Sequence, residues 1–293
     1  MYLDFLQFSV SLLPSFPLNL YDNLLRESIT KMLIDKKTRE ELNHLFYLIK
    51  LQDRFSKSSL DKQVKIEQIL AYLEIIHAEV RAKSRKRKLV FVDSGAGNCY
   101  LSFLVYFFYH KIENRDLEIH CIDHNEKLMK ANEKLAADMN FQGIHFHAMD
   151  ISDFSLKEKI DLVYSLHACD TATDKTMYLG VKNKVRTILS VSCCQHTLTL
   201  KPRSFKALAR YKSFKDKMLM MVADTLRGML LESENYKVDI FDFVSSRYTE
   251  KNTMVRANLV GYKQQQNAFE EYLKLSDEFK MRPYLEDLLA QSN

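Results

Sequence analysis

The chain has 293 residues, of which 46% are hydrophobic, and a formal net charge of +5 at pH 7. This length predicts one sizeable α/β domain with a helical appendage, and the scarcity of Gly and Pro argues against long disordered segments. Because no apolar run reaches the ~20 residues that cross a bilayer, we expect no membrane partner. The modest positive charge permits an anionic partner without requiring one. Five cysteines, an odd number that includes the adjacent Cys193 and Cys194, predict free thiols and a cytoplasmic location.

Residues 1–84 are predicted to form an N-terminal helical region. After an irregular start at 1–20, apolar residues three and four positions apart predict helices at 20–54 and 58–82. Six basic residues then fall within 81–88. We interpret this run as a solvated linker, with a phosphate-contacting patch as the alternative.

From Leu89 onward strand and helix patterns alternate, which predicts a mostly parallel, Rossmann-like sheet with helices on both faces. This domain is expected over residues 85–263, with a C-terminal helical extension at 264–293. The predicted strands lie at 89–93, 118–123, 144–148, 161–166, 186–191, 236–244 and 253–262. The predicted helices lie at 99–111, 125–139, 203–232 and within 264–290.

A glycine turn follows the first strand. Gly95 and Gly97 can adopt positive φ and leave room for a ligand against the backbone. A dinucleotide site would need a third glycine where Tyr100 stands, so an NAD(P) reductase is disfavoured. The pattern Asp93-Ser-Gly-Ala-Gly resembles motif I of class I S-adenosylmethionine (SAM) methyltransferases, with Cys99 in the place of that motif's third glycine.

Acidic residues end the next two strands. Asp123 follows Asp93 by 30 residues and can accept hydrogen bonds from both ribose hydroxyls of an adenosine. His124 is its neighbour and can stack beside the ribose or face solvent. Asp150, followed by Ile151, can receive the adenine amino group. Capping of the next helix is the alternative role for each carboxylate.

The predicted acceptor side of the site is formed by the loops after the fourth and fifth strands. His167 or Asp170 can orient or deprotonate an acceptor, although Asp170 can also cap a helix. The turn at Cys193, Cys194 and His196 is assigned to the same side. A metal is the alternative ligand for this side, since five residues could converge on one: His167, Cys169, Cys193, Cys194 and His196. Their spacings match no closed zinc pattern, so we predict no metal.

Several segments resemble one methyltransferase-domain family, which includes the glutathione S-transferase C-terminal-domain protein and rRNA-adenine-dimethylase-domain-like proteins. They are residues 62–69, 93–103, 166–174, 191–196 and 249–257. The 166–174 and 191–196 segments also resemble tRNA 2′-O-methyltransferases that act on the acceptor stem, with Asp170 where those enzymes have glycine. The resemblance spans about 60–262. It implies a seven-stranded sheet that binds SAM, with these residues lining the cofactor: Asp93, Gly95, Gly97, Asp123 and Asp150.

The sequence therefore predicts a SAM-dependent methyltransferase. RNA is the favoured substrate, because the basic segments 81–88 and 201–217 can contact phosphate and the second carries Phe205, Tyr211 and Phe214 for stacking. A methyltransferase acting on a protein or small molecule is one alternative, and a non-catalytic binding module is another. The sequence leaves the oligomeric state open.

Overall fold

The computed structural model describes residues 36–53, 59–245, 249, 251–261 and 267–291. The irregular start expected at 1–20 and the part of the first predicted helix before residue 36 lie outside these ranges. Contacts between Cα atoms divide the chain between His44 and Leu45, and only residues 36–44 of the first unit are described.

Two helices precede the sheet in the described chain: α1, Lys36–Leu48, and α2, Leu60–Val80. Helix α2 buries residues three and four positions apart, as the sequence pattern predicts. The hydroxyl of its fully buried Tyr72 lies 3.0 Å from the carbonyl oxygen of Ser165 and 2.9 Å from that of Leu189. These contacts fasten α2 to the centre of the sheet. The domain boundary expected at residue 84 stays a prediction.

The prediction of a seven-stranded, mostly parallel sheet is confirmed. The strands are β1 Leu89–Ser94, β2 Leu117–Asp123, β3 Ile144–Ala148, β4 Leu162–Leu166, β5 Thr187–Val191, β6 Tyr236–Asp242 and β7 Thr253–Leu259. They lie in the order β3-β2-β1-β4-β5-β7-β6. Strands β1 to β5 are parallel, and β7 runs antiparallel to both β5 and β6.

Helices lie in several of the connections between the strands, and the last two helices follow β7. They are α3 Tyr100–Phe107, α4 Glu126–Asp138, α5 Thr171–Lys182, α6 Lys206–Ala209, α7 Lys212–Ser233, α8 Ala268–Phe279 and α9 Tyr284–Ala290. Helix α3 continues as a π-helical turn at Phe108–Ile112. Among the described residues, no helix combines the length and the apolar character needed to span a membrane.

The helical stretch predicted at about 203–232 consists of two helices in the structure. Helix α6 ends at Ala209 and α7 begins at Lys212. The break occurs because the backbone of Tyr211 is extended, with φ −92° and ψ 120°.

Strand β1 is buried on both faces, which explains its unbroken apolar sequence. Successive side chains of a strand point to opposite faces. The ring of Phe91 meets that of Tyr109 with centroids 5.9 Å apart, whereas Val92 packs in a core cluster with Leu179 of α5. Helical segments thus cover both faces of the sheet.

The order of the strands reverses at β1, which lies between β2 and β4. Loops that leave β1 and β4 in opposite directions open a crevice at the carboxyl ends of the strands, the usual place for a ligand in such sheets. In the register, Asp93 lies beside Cys121 of β2 and Tyr164 of β4. The sequence-predicted site residues follow these strand ends.

Candidate active site

The two glycines of the turn after β1 differ in what occupies the space where a side chain would stand. Both have positive φ, +67° at Gly95 and +52° at Gly97. A Cβ atom added to Gly95 would lie 2.9 Å from the Cβ of Ala168, so the loop after β4 fills that space. Among the described residues other than Gly97 and its two chain neighbours, no atom lies within 4 Å of a Cβ atom added to Gly97. Of the two glycines, Gly97 is therefore the one whose side of the turn the described residues leave open to an incoming ligand.

Asp93 is enclosed rather than exposed. Ser102 of α3 donates a hydrogen bond of 2.6 Å to Asp93 Oδ2, and the Tyr164 hydroxyl lies 2.6 Å from the same Ser102 oxygen. Burial raises the pKa of the Asp93 carboxyl to about 7, helped by the negative charge of Asp123, while the Ser102 hydrogen bond opposes the rise. Near neutral pH the protonated and the ionised forms of the Asp93 carboxyl are therefore both populated.

Asp123 lies at the end of β2 and braces the glycine turn. Its Oδ2 accepts the Gly97 N–H at 3.0 Å and its Oδ1 accepts the Asn125 N–H at 2.9 Å. Asn125, not Asp123, caps helix α4 by accepting the Leu128 N–H. The Asp123 side chain is 12% exposed and that of His124 is 92% exposed. Asp123 is thus held at the turn, whereas His124 faces solvent.

Cys99 occupies the position where the SAM-enzyme motif often has its third glycine. Its backbone is left-handed, with φ +53°, a conformation that glycine adopts without strain. Asn132 of α4 supports it by donating to the Gly97 carbonyl at 2.8 Å, and the same amide nitrogen lies 3.2 Å from Cys99 Sγ. The sequence reasoning missed Asn132, which gives no local signal of this role.

Asp150 lies after β3 and caps a short 3₁₀-helix at Ile151–Asp153. Its Oδ1 accepts the Ser152 N–H at 2.8 Å, and Lys175 lies 2.6 Å from its Oδ2. The Lys175 and Ser152 hydrogen bonds lower the pKa of Asp150. Ile151 is buried in the core cluster with Ile122. The capping role is therefore present, and contact with adenine stays a prediction for both Asp150 and Ile151.

His167 follows β4 with a left-handed backbone of φ +65°. Its Nε2 lies 3.3 Å from Oε1 of Gln68 on α2, and its buried Nδ1 has no hydrogen-bond partner among the described residues. Burial, with the charges of Lys251 and Lys65, lowers the pKa of His167 to about 4. The imidazole is therefore neutral at pH 7 and a weak base.

Three thiols from two loops meet beside His167. The Sγ atoms of Cys169, Cys193 and Cys194 all lie within 4.8 Å of one another. Hydrogen bonding to Cys193 is the largest cause that lowers the pKa of Cys169, to about 5. No disulfide joins these cysteines, and the exposed His196 is not part of the group that the structure describes.

Asp170 joins the loops after β4 and β5. Both of its carboxylate oxygens accept the Thr197 N–H at 3.1 Å, and the Thr197 hydroxyl donates to Oδ1 at 2.6 Å. Although Asp170 directly precedes α5, its side chain makes no capping hydrogen bond there. Its carboxylate is thus engaged in holding two loops together, and a catalytic role stays a prediction.

The family comparison assigns the part of the chain that contains these loops. Residues 62–201 match the family model described as "Methyltransferase domain". This stretch is a methyltransferase domain. A comparison with curated proteins gives no match. The narrower likenesses, to the glutathione S-transferase C-terminal-domain protein and to tRNA 2′-O-methyltransferases, stay predictions.

Solved structures resemble the methyltransferase only distantly. The magnesium protoporphyrin IX methyltransferase of Synechocystis PCC 6803 with bound SAM is 11% identical at a TM-score of 0.45, over 80% of this chain and 97% of that chain. The CMeT domain of the citrinin polyketide synthase is 11% identical at 0.47, over 76% and 57%. The 23S rRNA methyltransferase ErmE is 11% identical at 0.41, over 71% and 74%. At such values these structures say nothing about the acceptor of this chain.

The methyltransferase uses SAM, whose sulfonium supplies an electrophilic methyl group. The residues around the glycine turn fit such a donor. Among the described residues, the open side of Gly97 leaves room for a ligand against the backbone, and adenosine there stays a prediction. Each Asp123 oxygen accepts one backbone N–H and keeps a lone pair, so the carboxylate can still accept both ribose hydroxyls.

A buried ion-pair network lies beneath the loops after β4 and β5. Arg227 of α7 donates from Nε and Nη2 to Asp174 of α5 at 2.8 and 2.9 Å, and its Nη1 lies 3.4 Å from Asp224. Its Nη2 also lies 3.1 Å from Gln195 Oε1. Asp224 in turn accepts the Ser192 hydroxyl at 3.0 Å. The sequence reasoning missed this network, because its partners are far apart in the chain.

Proposed function

We propose that this methyltransferase modifies RNA. Methyl transfer from a sulfonium depends mainly on placing the acceptor in line with the S–CH₃ bond and excluding water. A general base is needed only for an oxygen acceptor or a protonated amine. A site that positions its acceptor therefore suffices, and the absence of an obvious catalytic dyad does not argue against the activity.

The observation that carries this proposal is a basic cavity beyond the loop that follows β5. Its volume is about 540 Å³, and its charged lining residues are Lys201, Arg203, Lys206, Arg210 and Lys280. Among the described residues, Asp277 pairs with Arg203 and Lys280, and no carboxylate pairs with Lys206 or Arg210. The cavity is therefore net positive, as a phosphate-binding surface requires.

Exposed aromatic side chains lie in the same chain segment, 201–217, as most residues of this basic cavity. Phe205, Tyr211 and Phe214 are 47%, 60% and 54% exposed. Exposed rings beside cations can stack on unpaired bases while the cations contact phosphate. The combination favours single-stranded RNA over a small apolar acceptor.

The other basic segment supports the proposal less. Within 81–88, Lys83 and Arg87 pair with the buried Asp161, and Arg85 pairs with Glu113. Most of these charges are thus satisfied within the chain, which agrees with a structural linker. The RNA proposal accordingly depends on the 201–217 segment.

We assign the acceptor side to His167, Asp170, Cys193, Cys194 and His196, with Asp170 holding the loops and His167 neutral at pH 7. Gly97, Asp123 and Asp150 are assigned to contact with SAM, whereas Asp93 and Gly95 are assigned to shaping the turn beneath it, since Asp93 is enclosed by Ser102 and Ala168 fills the space beside Gly95. The free thiols of all five cysteines favour a cytoplasmic location.

The substrate assignment is tested by incubating the full chain with SAM carrying a labelled methyl group and with separate RNA, protein and metabolite fractions. Label in RNA is expected. Label confined to the protein or metabolite fraction would reject RNA as the substrate. If no fraction is labelled and calorimetry shows no SAM binding, the chain is a binding module instead.

The cavity is tested by measuring RNA affinity against salt concentration. The double variant Lys206→Ala/Arg210→Ala should bind RNA more weakly, with a log–log salt slope smaller by about 1.4 for single strands. The exposed pair Lys130→Ala/Lys134→Ala on α4 is the control for lost charge, and its slope should equal that of the wild type. Equal slopes in all three proteins would exclude this cavity from RNA binding.

The cofactor assignment is tested at Asp123. Asp123→Asn keeps an oxygen for the Gly97 N–H but removes the charge, so SAM should bind about 10- to 100-fold more weakly by calorimetry. Asp138→Asn, at the exposed end of α4, is the matched control and should bind SAM normally. Unchanged affinity in Asp123→Asn would remove this residue from the ribose site.

A further inference from the structure

The loops after β4 and β5 bring three cysteines together that lie far apart in the sequence. Cys169 follows β4, and Cys193 and Cys194 follow β5, two neighbouring parallel strands whose last residues, Leu166 and Val191, are paired in the sheet. We propose that the three thiolates of Cys169, Cys193 and Cys194, called here the thiol triad, bind a thiophilic metal ion, with Zn²⁺ as the reference ion. This proposal does not depend on which acceptor is methylated.

The spacing of the thiol triad fits such an ion. Zinc binds cysteine sulfur at about 2.3 Å, so two ligands of a tetrahedron lie ~3.8 Å apart. The Sγ atoms of Cys193 and Cys194 are 3.8 Å apart, and all three Sγ atoms lie within 4.8 Å of one another. One edge of the tetrahedron is therefore already formed, and the other two need to close by at most about 1 Å.

Hydrogen bonds outside the thiol triad hold its two loops in register. The Asp170 carboxylate binds Thr197, and the Asp170 N–H donates to the Cys194 carbonyl at 3.3 Å. From below, Arg227 contacts Gln195 at 3.1 Å and the Asp170 carbonyl at 3.4 Å. Metal sites commonly have ligands oriented by such outer contacts, which reduce the ordering needed on binding.

The triad's composition determines the class of ion. Three sulfur ligands favour soft or borderline ions such as Zn²⁺ and disfavour Mg²⁺ and Ca²⁺, which prefer oxygen. Three protein ligands leave one coordination position for water or a polar group of a substrate, the arrangement of zinc sites that contact substrate. Neither His167 nor His196 joins the triad in the described part of the chain.

The site also lies next to the glycine turn. Ala168, the residue before Cys169, fills the space beside Gly95. An ion held by the triad would therefore lie on the acceptor side of the crevice. The sequence-based expectation of no metal rested on spacing along the chain, which does not record that β4 and β5 are neighbours.

The test is a zinc titration of the full chain, reduced and freed of metal, against a chromophoric chelator. One Zn²⁺ per chain should bind with a Kd of about 1 μM or lower, and Mg²⁺ should not compete. Cys169→Ser, Cys193→Ser and Cys194→Ser should each weaken binding at least 100-fold. Cys121→Ala, a buried cysteine outside the triad, is the control and should keep wild-type affinity.

A second measurement avoids any dependence on the folding of variants. In the wild-type chain, Zn²⁺ should slow alkylation of the thiol triad, read residue by residue by mass spectrometry, and Co²⁺ should give the visible absorption of a tetrahedral thiolate complex. The proposal is overturned if reduced wild-type chain binds no Zn²⁺ or if zinc leaves the alkylation of all three cysteines unchanged. It is also overturned if the triad variants bind as tightly as Cys121→Ala.

Discussion

Removal of the guanidinium at Arg227 should destabilise the protein strongly. Arg227 and its partner Asp174 have side chains that are 0% and 2% exposed, and Asp224 is 6% exposed. Arg227→Met keeps most of the side-chain volume but leaves two buried carboxylates without their cation. Breaking a buried pair in this way costs about 3–5 kcal/mol, because the remaining charge is desolvated and uncompensated.

The matched control is Arg203→Met. Arg203 makes the same two-pronged contact with Asp277, at 2.5 and 2.9 Å, but the two side chains are 55% and 51% exposed. An exposed pair contributes about 0–1 kcal/mol. The two variants undergo the same chemical change, but Asp277 is exposed and keeps Lys280 as a second cation, whereas the carboxylates around Arg227 are buried.

The free energies of unfolding are measured by urea denaturation of the full chain, followed by circular dichroism. Arg227→Met should lose at least ~2 kcal/mol more than Arg203→Met. The free energy of unfolding lost by Arg227→Met should be larger at pH 7 than at pH 5. Burial raises the pKa of Asp224, so this carboxylate, once unpaired, takes up a proton as the pH falls and no longer bears the cost of a buried charge. Equal losses within 1 kcal/mol would refute the claim that this network stabilises the loops of the site.

Two further predictions concern the turn after β1. Gly95→Ala should destabilise the fold by ~1–3 kcal/mol more than Gly97→Ala, because both have positive φ but only the first places a Cβ against Ala168; equal losses in urea denaturation would contradict this. The raised pKa of Asp93, about 7 against an ordinary value of 3.8, makes the folded state hold a proton that the unfolded state releases. The stabilising contribution of Asp93 to the free energy of unfolding is thus fully present below pH 4 and is lost as the pH rises towards 7. The free energy of unfolding of the wild type should therefore fall across this pH range more steeply than that of Asp93→Asn. Parallel pH profiles for the two proteins would show that burial does not shift this carboxyl.

Strand positions were predictable because strands buried on both faces of a parallel sheet are recognisable in the sequence as continuous apolar runs. Each apolar run, such as Leu89 to Val92, must be apolar throughout since both sides of the strand are covered. The alternation of such runs with helical periods indicates parallel strands, and parallel strands place their carboxyl ends at one edge. The positions of Asp93 and Asp123 at that edge follow from the sequence for this reason.

The contacts that each residue makes at that edge were not predictable. Asp93 and Asp123 look alike in the sequence, yet one is enclosed by Ser102 and the other braces Gly97. Gly95 looks like a ligand-approach glycine, but its missing Cβ makes room for Ala168 from another loop. Which neighbour fills a given space depends on strand register and on helix packing. The spacing of residues along one segment determines neither of these.

By itself the sequence determined the sheet, the glycine turn and the edge at which the polar residues collect, since hydrophobic period and backbone freedom are local properties. Only the tertiary structure decided that Arg227 pairs with Asp174, 53 residues away, and that Cys169 meets Cys193 and Cys194. Those contacts join loops from different βα units. They exist because β4 lies beside β5 and α7 packs beneath both loops, and that arrangement is set by the packing of the whole domain.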